Sequence, residues 1–193
     1  MGRINSFLCL PARGCRVCFS SVVHPLCGRS SQQRFGLIFQ IIFFKFIAQH
    51  SFGHAQHIGG RHAYQFGYLK LTNALHGSSL PDGSYGGNPA GLLIESKDGK
   101  HLYFAGDTGL FGDMRLIGEE GIDFAALPIG DNYTMGPDDA LRAVKLLNPQ
   151  VVMPMHYDTF ELINQDAKAW AERVEKETSA KCILLKAGES YTL

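Results

Sequence analysis

Three apolar, strand-like runs each end one residue before a side chain that can bind a metal ion. They are Tyr68-Leu-Lys-Leu-Thr-Asn-Ala-Leu75 before His76, Leu102-Tyr-Phe-Ala-Gly106 before Asp107, and Val151-Val-Met-Pro-Met155 before His156. Such placement points to a sheet whose strand tips present donors to a shared pocket, the usual location of sites in open sheets flanked by helices. Imidazole and carboxylate donors suit zinc, manganese or iron without any thiolate.

The rest of residues 53–193 is consistent with that sheet. Tyr64 to Leu75 reads as two strands around Gly67, with Leu69, Leu71 and Leu75 on one face. Gly77 to Pro89 is a loop rich in Gly, Ser and Pro. Ala90 to Glu95 and His101 to Ala105 form a hairpin, because Asp98-Gly99 signals a tight turn between them, and this hairpin aims Asp107 at the site. Asp123 to Ile129 reads as a buried strand. Pro137, Asp138 and Asp139 then open a helix, which Asn148-Pro149 ends. Strand Gln150 to Met155 follows. A second helix from Asp166 to Glu177 places Ala167, Trp170 and Val174 on its inner side, and Lys168, Glu172, Arg173 and Lys176 on a solvated one. Cys182 to Lys186 is the expected closing strand. Alternating strands and helices make the class α/β.

Composition divides the chain. All 18 acidic residues lie at or after Asp82, so the net charge of zero is a +8 segment followed by a −8 segment. Residues 1–52 are set apart as an acid-free leader. Its Arg and Ser content fits an organellar transit peptide. The apolar run Phe35 to Ala48 is too long for that class of leader, and Gln40 and Lys45 interrupt it too soon for a membrane span of roughly 20 apolar residues. A secretory signal would carry its apolar core nearer the start. Met1-Gly-Arg-Ile-Asn-Ser6 matches the short N-myristoylation pattern. A mis-started or out-of-frame leader joined to an ordinary carboxy-terminal half is the remaining alternative. Cys15, Cys18, His24 and Cys27 bring four zinc donors together in this leader, at a spacing that matches no zinc module and reads as accidental. Cys182 reads as a small buried hydrophobe.

From about Ile58 to Leu193 the chain resembles the metallo-β-lactamase-fold hydrolases, and within them a group of metal-dependent hydrolases. The resemblance is carried by Ala74-Leu-His-Gly-Ser-Ser79, Tyr85-Gly-Gly-Asn-Pro-Ala-Gly91, Ala105-Gly-Asp-Thr-Gly-Leu-Phe-Gly-Asp113, Leu127-Pro-Ile-Gly-Asp-Asn-Tyr-Thr-Met-Gly136, Met153-Pro-Met-His-Tyr157 and Lys186-Ala-Gly-Glu-Ser190. It implies the carboxy-terminal half of an αββα sandwich and a site of two divalent ions, zinc first among the candidates. It also implies that His76 is a ligand of one ion, Asp107 the catalytic bridge between both, and His156 a ligand of the other. The chain departs from the family in lacking the H-x-H-x-D-H string; His54-Ala-Gln-His57 has the wrong spacing and no Asp.

The implied reaction is metal-assisted hydrolysis of an ester, lactone, amide or phosphodiester. A full zinc ligand set is worth roughly 10–16 kcal/mol near neutral pH, so half a set leaves about 5–8, a dissociation constant from micromolar to sub-millimolar. A weakened enzyme is therefore expected, and the alternative is a non-catalytic half-domain that pairs an exposed sheet face with another chain.

Without the resemblance, His76 and His156 would read as ordinary surface or capped histidines, and Asp107 as a turn former beside Gly. Asp131, Asn132 and Tyr157 sit near strand ends, where they line a pocket or simply make turns. His54, His57 and His62 read as loop histidines and as local substitutes for missing ligands. The acidic charge of the matched region argues against nucleic acid, leaving a small molecule as the expected substrate. Cytoplasmic location is expected if the leader carries no address, and an organelle if it does.

Overall fold

In the computed structural model the described residues are the strand Arg16–Cys18 and residues 56–80, 82–186 and 188–193. The chain divides into two compact units: residues 1–53 with 185–193, and residues 54–184. In the first, β1 (Arg16–Cys18) pairs antiparallel with β9 (Ser190–Thr192).

The second unit is a seven-stranded mixed sheet in the order β2-β3-β4-β5-β6-β7-β8. Strands β2 (Arg61–Tyr64), β3 (Gly67–Asn73), β4 (Ala90–Ser96) and β5 (His101–Phe104) form an antiparallel meander, with the β4–β5 hairpin where Asp98-Gly99 predicts it. The turn from β4 to β5 is closed by Gly99 N–H donating to the Ser96 carbonyl at 3.0 Å. Strands β6 (Phe124–Pro128), β7 (Val151–Met155) and β8 (Lys181–Cys182) then add in parallel to β5. Parallel neighbours need crossovers, and these carry α1 (Met114–Gly118), α2 (Pro137–Leu147) and α3 (Ala167–Glu177). β6 is buried at every position, the pattern of a strand covered on both faces.

Both long helices start and stop where local chemistry dictates. Pro137 occupies the first turn of α2 with Asp138 and Asp139, and Asn148 closes it in the left-handed conformation at φ 46°. Asp166 caps α3 by accepting from Ala169 N–H at 2.9 Å. Leu141, Val144, Leu147, Trp170 and Val174 pack with Met114 and Ile117 against Tyr103, Ala125, Leu127 and Val152 of the sheet. Trp170 also donates its indole N–H to the Pro137 carbonyl at 2.9 Å, tying α3 to the start of α2. At the other end of the strands, buried Asp123 accepts from His101 N–H at 2.8 Å, Gln150 Nε2 at 3.0 Å and Lys100 Nζ at 3.2 Å. One carboxylate thereby clamps the amino-terminal ends of β5, β6 and β7.

Three expectations need correction. The closing strand is Lys181–Cys182, earlier and shorter than Cys182 to Lys186. Pro154 supplies the reason. The Val152 carbonyl accepts from Ile183 N–H at 2.9 Å, so the backbone of Pro154, two residues on, faces the same side with no N–H to offer, and β8 cannot extend along it. Leu75 is 56% exposed, because it lies past the end of β3 in the loop leading to His76. His62 lies in strand β2 instead of a loop, its ring edge-on to Tyr64 at 4.8 Å between centroids. The short helix α1 and the pair β1 and β9 were not expected at all.

Tyr103 is fully buried in this core, its hydroxyl beside Thr72 but outside good hydrogen-bond geometry with any described residue. Burial pushes its phenol up to about 12, and burial together with Glu175 pushes the half-buried Cys182 thiol up to about 12. Both folded values lie above the unfolded ones, so this stability is complete below pH of about 8.5 for the thiol and 10 for the phenol. It is lost as pH rises toward the folded values. Denaturant titration is therefore expected to show unfolding free energy falling between about pH 9 and 12, with Tyr103→Phe removing about 2–3 kcal/mol of the fall while leaving stability at pH 7 intact. An alkaline fall of unchanged size in Tyr103→Phe would contradict the assignment.

Candidate metal centre

β5 and β7 lie on either side of β6, roughly 10 Å apart at the ordinary strand spacing. Side chains that follow their tips meet only if the tip of β6 leaves room. Gly130 provides that room, since a Cβ there would lie 2.3 Å from the carbonyl oxygen of His156. Gly106 turns the chain beyond β5 through φ 67° into Asp107, and His156 itself adopts φ 53° just beyond β7. A left-handed histidine is an uncommon and mildly strained conformation, held here by the Ile129 N–H bond to the Met155 carbonyl at 3.1 Å on its amino-terminal side.

These turns bring Asp107 Oδ2 to 3.7 Å from His156 Nε2, with both side chains about four-fifths buried. That separation is too long for a hydrogen bond. Two donors sharing a zinc ion at about 2.0–2.2 Å each lie no more than about 4.3 Å apart, so the pair fits a common cation. His156 Nδ1 is buried and has no partner among the described residues. The donor chemistry and this separation suit a divalent ion.

His76 stands beside this pair without converging on it. Its Nδ1 donates to the Gly77 carbonyl at 2.7 Å on an exposed loop, which leaves Nε2 as the acceptor nitrogen. Among the described residues no three His, Cys, Asp or Glu side chains gather in metal-holding geometry. His57 is exposed, His54 lies outside the described residues, and the Cys15, Cys18, His24 and Cys27 donor set likewise falls outside them except for the backbone of β1.

Thr108 organises the loops around the site, and reading the sequence gave it no role. It is fully buried; its Oγ1 accepts from Leu75 N–H at 2.8 Å and donates to the Gly109 carbonyl at 2.8 Å. Gly109 N–H returns to the Leu75 carbonyl at 3.0 Å, and Met135 N–H reaches the Thr108 carbonyl at 2.9 Å. The loops carrying His76, Asp107 and Asp131 are thus joined at one residue. The available signal was its place in Gly106-Asp-Thr-Gly109, where a hydroxyl beside a ligand can bond neighbouring backbone. Asp131 and Asn132 are left-handed at φ 63° and 52°, and the Asp131 carboxylate accepts from Asn132 N–H at 2.8 Å while lying against Gly136. Tyr157 packs against the main core beside Met155 and Cys182, and burial raises its phenol.

Thr108→Val keeps the shape and removes the hydroxyl. It is expected to leave Leu75 N–H without its partner, to cost about 1–3 kcal/mol in denaturant unfolding, and to speed amide exchange at Leu75 and Gly109 selectively. Unchanged exchange at both amides would show that the hydroxyl does not hold these loops.

A family model described as a beta-lactamase superfamily domain matches residues 18–157, beginning inside the acid-free segment. The UPF0173 metal-dependent hydrolase of Thermus thermophilus is 53% identical over 136 residues, covering 70% of this chain and 60% of that protein. A UPF0173 metal-dependent hydrolase of Bacillus cereus is 50% identical over 146 residues, covering 72% of this chain and 63% of that protein. Igni18, a metallo hydrolase from the hyperthermophilic archaeon Ignicoccus hospitalis, superposes with a TM-score of 0.65 at 40% identity, over 79% of this chain and 65% of that one. The chain spans about three-fifths of the length of the curated relatives it matches. With the family match over residues 18–157 and the superposition on Igni18, the chain belongs to the metallo-β-lactamase superfamily.

Proposed function

We propose that this chain carries part of the active site of a metal-dependent hydrolase, in which Asp107 and His156 hold a divalent cation and His76 supplies a further ligand from the adjoining loop. The observation that carries this reading is the 3.7 Å approach of Asp107 Oδ2 to His156 Nε2 beyond the tips of β5 and β7. The similarity to metal-dependent hydrolases of Thermus thermophilus and Bacillus cereus supports it.

A divalent ion bound there supplies Lewis acidity toward a carbonyl or phosphoryl oxygen and lowers the pKa of a water toward neutrality. The protein's own share is positional. Asp107 contributes negative charge beside the imidazole of His156, and Thr108 fixes the direction from which Asp107 approaches. His76, with Nδ1 engaged by Gly77, keeps Nε2 as the nitrogen that would bind a metal once the imidazole turns inward on its anchored loop. Asp131 and Asn132 are placed to meet polar groups of a substrate. Zinc, manganese and iron all suit this donor set. The substrate class is an ester, lactone, amide or phosphodiester of a small molecule, and a second ion would require donors beyond these three. The division into a leader of residues 1–52 and a hydrolase half of residues 53–193 belongs to this proposal, as does a cytoplasmic setting, which lone Cys182 in that half suits. Among the described residues no helix is long and apolar enough to cross a membrane.

That only two donors converge among the described residues favours a second reading, in which the sheet is a non-catalytic unit that associates with another chain. The two readings separate in one titration. Zinc is expected to bind the full chain with a dissociation constant between micromolar and sub-millimolar, and His156→Ala or Asp107→Asn to weaken it at least tenfold. Hydrolysis of a p-nitrophenyl ester or bis-p-nitrophenyl phosphate would then vanish on chelation and in His156→Ala. Metal-free protein forming stable oligomers, indifferent to both substitutions, would establish the second reading instead.

A further inference from the structure

The segment from Asp131 to Met135 forms a strap that runs between the backbones carrying the two donors. One end follows Gly130, whose backbone lies against the His156 carbonyl; the other is tied by Met135 N–H to the Thr108 carbonyl at 2.9 Å, next to Asp107. Tyr133 stands at the middle of this strap, 52% exposed. Its ring meets Phe160 edge-on, with centroids 6.1 Å apart and planes at 61°.

Phe160 comes from the loop that follows His156 and is 41% exposed. That loop is anchored: Ile163 is fully buried, its N–H donates to the Phe160 carbonyl at 3.1 Å, and its carbonyl accepts from Asp158 N–H at 3.0 Å. Gln165 N–H closes the same loop onto the Asp158 carboxylate at 2.8 Å. The loops that follow β6 and β7 thus bring two aromatic rings together, yet each ring leaves much of its surface to solvent. Rigid aromatic surface beside a few polar groups is the ordinary make-up of a small-molecule pocket wall.

We infer that Tyr133 and Phe160 form a specificity wall for the hydrolase site, receiving an aryl or similarly bulky apolar substituent on the small-molecule substrate. This inference rests on the proposed metal-dependent hydrolase reading and narrows its substrate class. The strap sets the position of the wall: Asp131 and Asn132 meet polar atoms near the scissile group, and Tyr133, one residue further, meets the apolar part.

Phenylphosphonate and methylphosphonate differ only in the apolar group, and calorimetric titration of each into the zinc-equilibrated full chain reads the wall directly. Phenylphosphonate is expected to bind about tenfold more tightly. Phe160→Ala and Tyr133→Ala each reduce that preference to under threefold by weakening phenylphosphonate, while Phe160→Leu retains most of it. Leu116→Ala, an exposed apolar residue on α1, leaves the preference at tenfold. No measurable binding of phenylphosphonate, equal affinity for both ligands, or a preference that survives both alanine variants overturns the inference. Chelation separates the two claims: if it weakens both phosphonates equally and spares the ratio, metal and wall both stand. If chelation changes neither affinity while the tenfold ratio persists, the metal reading fails and the wall remains.

Discussion

The site depends on the absence of a side chain at the tip of β6. Asp107 and His156 follow strands that are not neighbours, and they meet because Gly130, between them, lets the backbone of His156 approach to a distance that any Cβ would forbid. The positive φ values at Gly106 and His156 then direct both side chains inward over that gap. The core beneath serves the same geometry. A strand buried at all five positions, covered by α2 and α3 on one face, gives the three parallel tips a fixed spacing, and the Asp123 clamp fixes their opposite ends.

Fixing strand tips does not complete a metal site. Two donors at 3.7 Å form a seat for a cation but leave most of its coordination sphere to other groups. The loop bearing His76 is tied to the loop bearing Asp107 through Thr108, so its backbone is held near while its imidazole turns to Gly77. The donor proposed to join the pair thus sits on a loop that is already anchored to the loop of Asp107. The second ring nitrogen of His156 is buried and has no hydrogen-bond partner among the described residues, one polar atom that this arrangement leaves unanswered.

Much of this was legible in the sequence because the governing chemistry is local. Asp98-Gly99 announces the hairpin, Pro137 and Asn148 bound α2, Asp166 caps α3, and alternating or continuous apolar runs mark β3 to β7. The placement of donors after strand tips was readable for the same reason. What was not readable depends on distant partners. β1 pairs with β9 across most of the chain length, α1 is a five-residue helix with only Met114 and Ile117 buried, and β8 is cut short by a proline in the strand beside it. Thr108 escaped notice because its role lies in two loops that only the fold brings together. Tyr157 and His156 are adjacent in sequence, but the left-handed turn at His156 sends one ring to the site and the other to the core.

If imidazole and carboxylate from the strand tips hold the metal, X-ray absorption at the zinc edge of the loaded full chain reads those ligands themselves. A shell of nitrogen and oxygen at about 2.0–2.2 Å is expected, with imidazole outer-shell scattering that loses one imidazole in His156→Ala. Sulfur scattering at about 2.3 Å, unchanged in His156→Ala, would place the ion on the cysteines of the leader and contradict it.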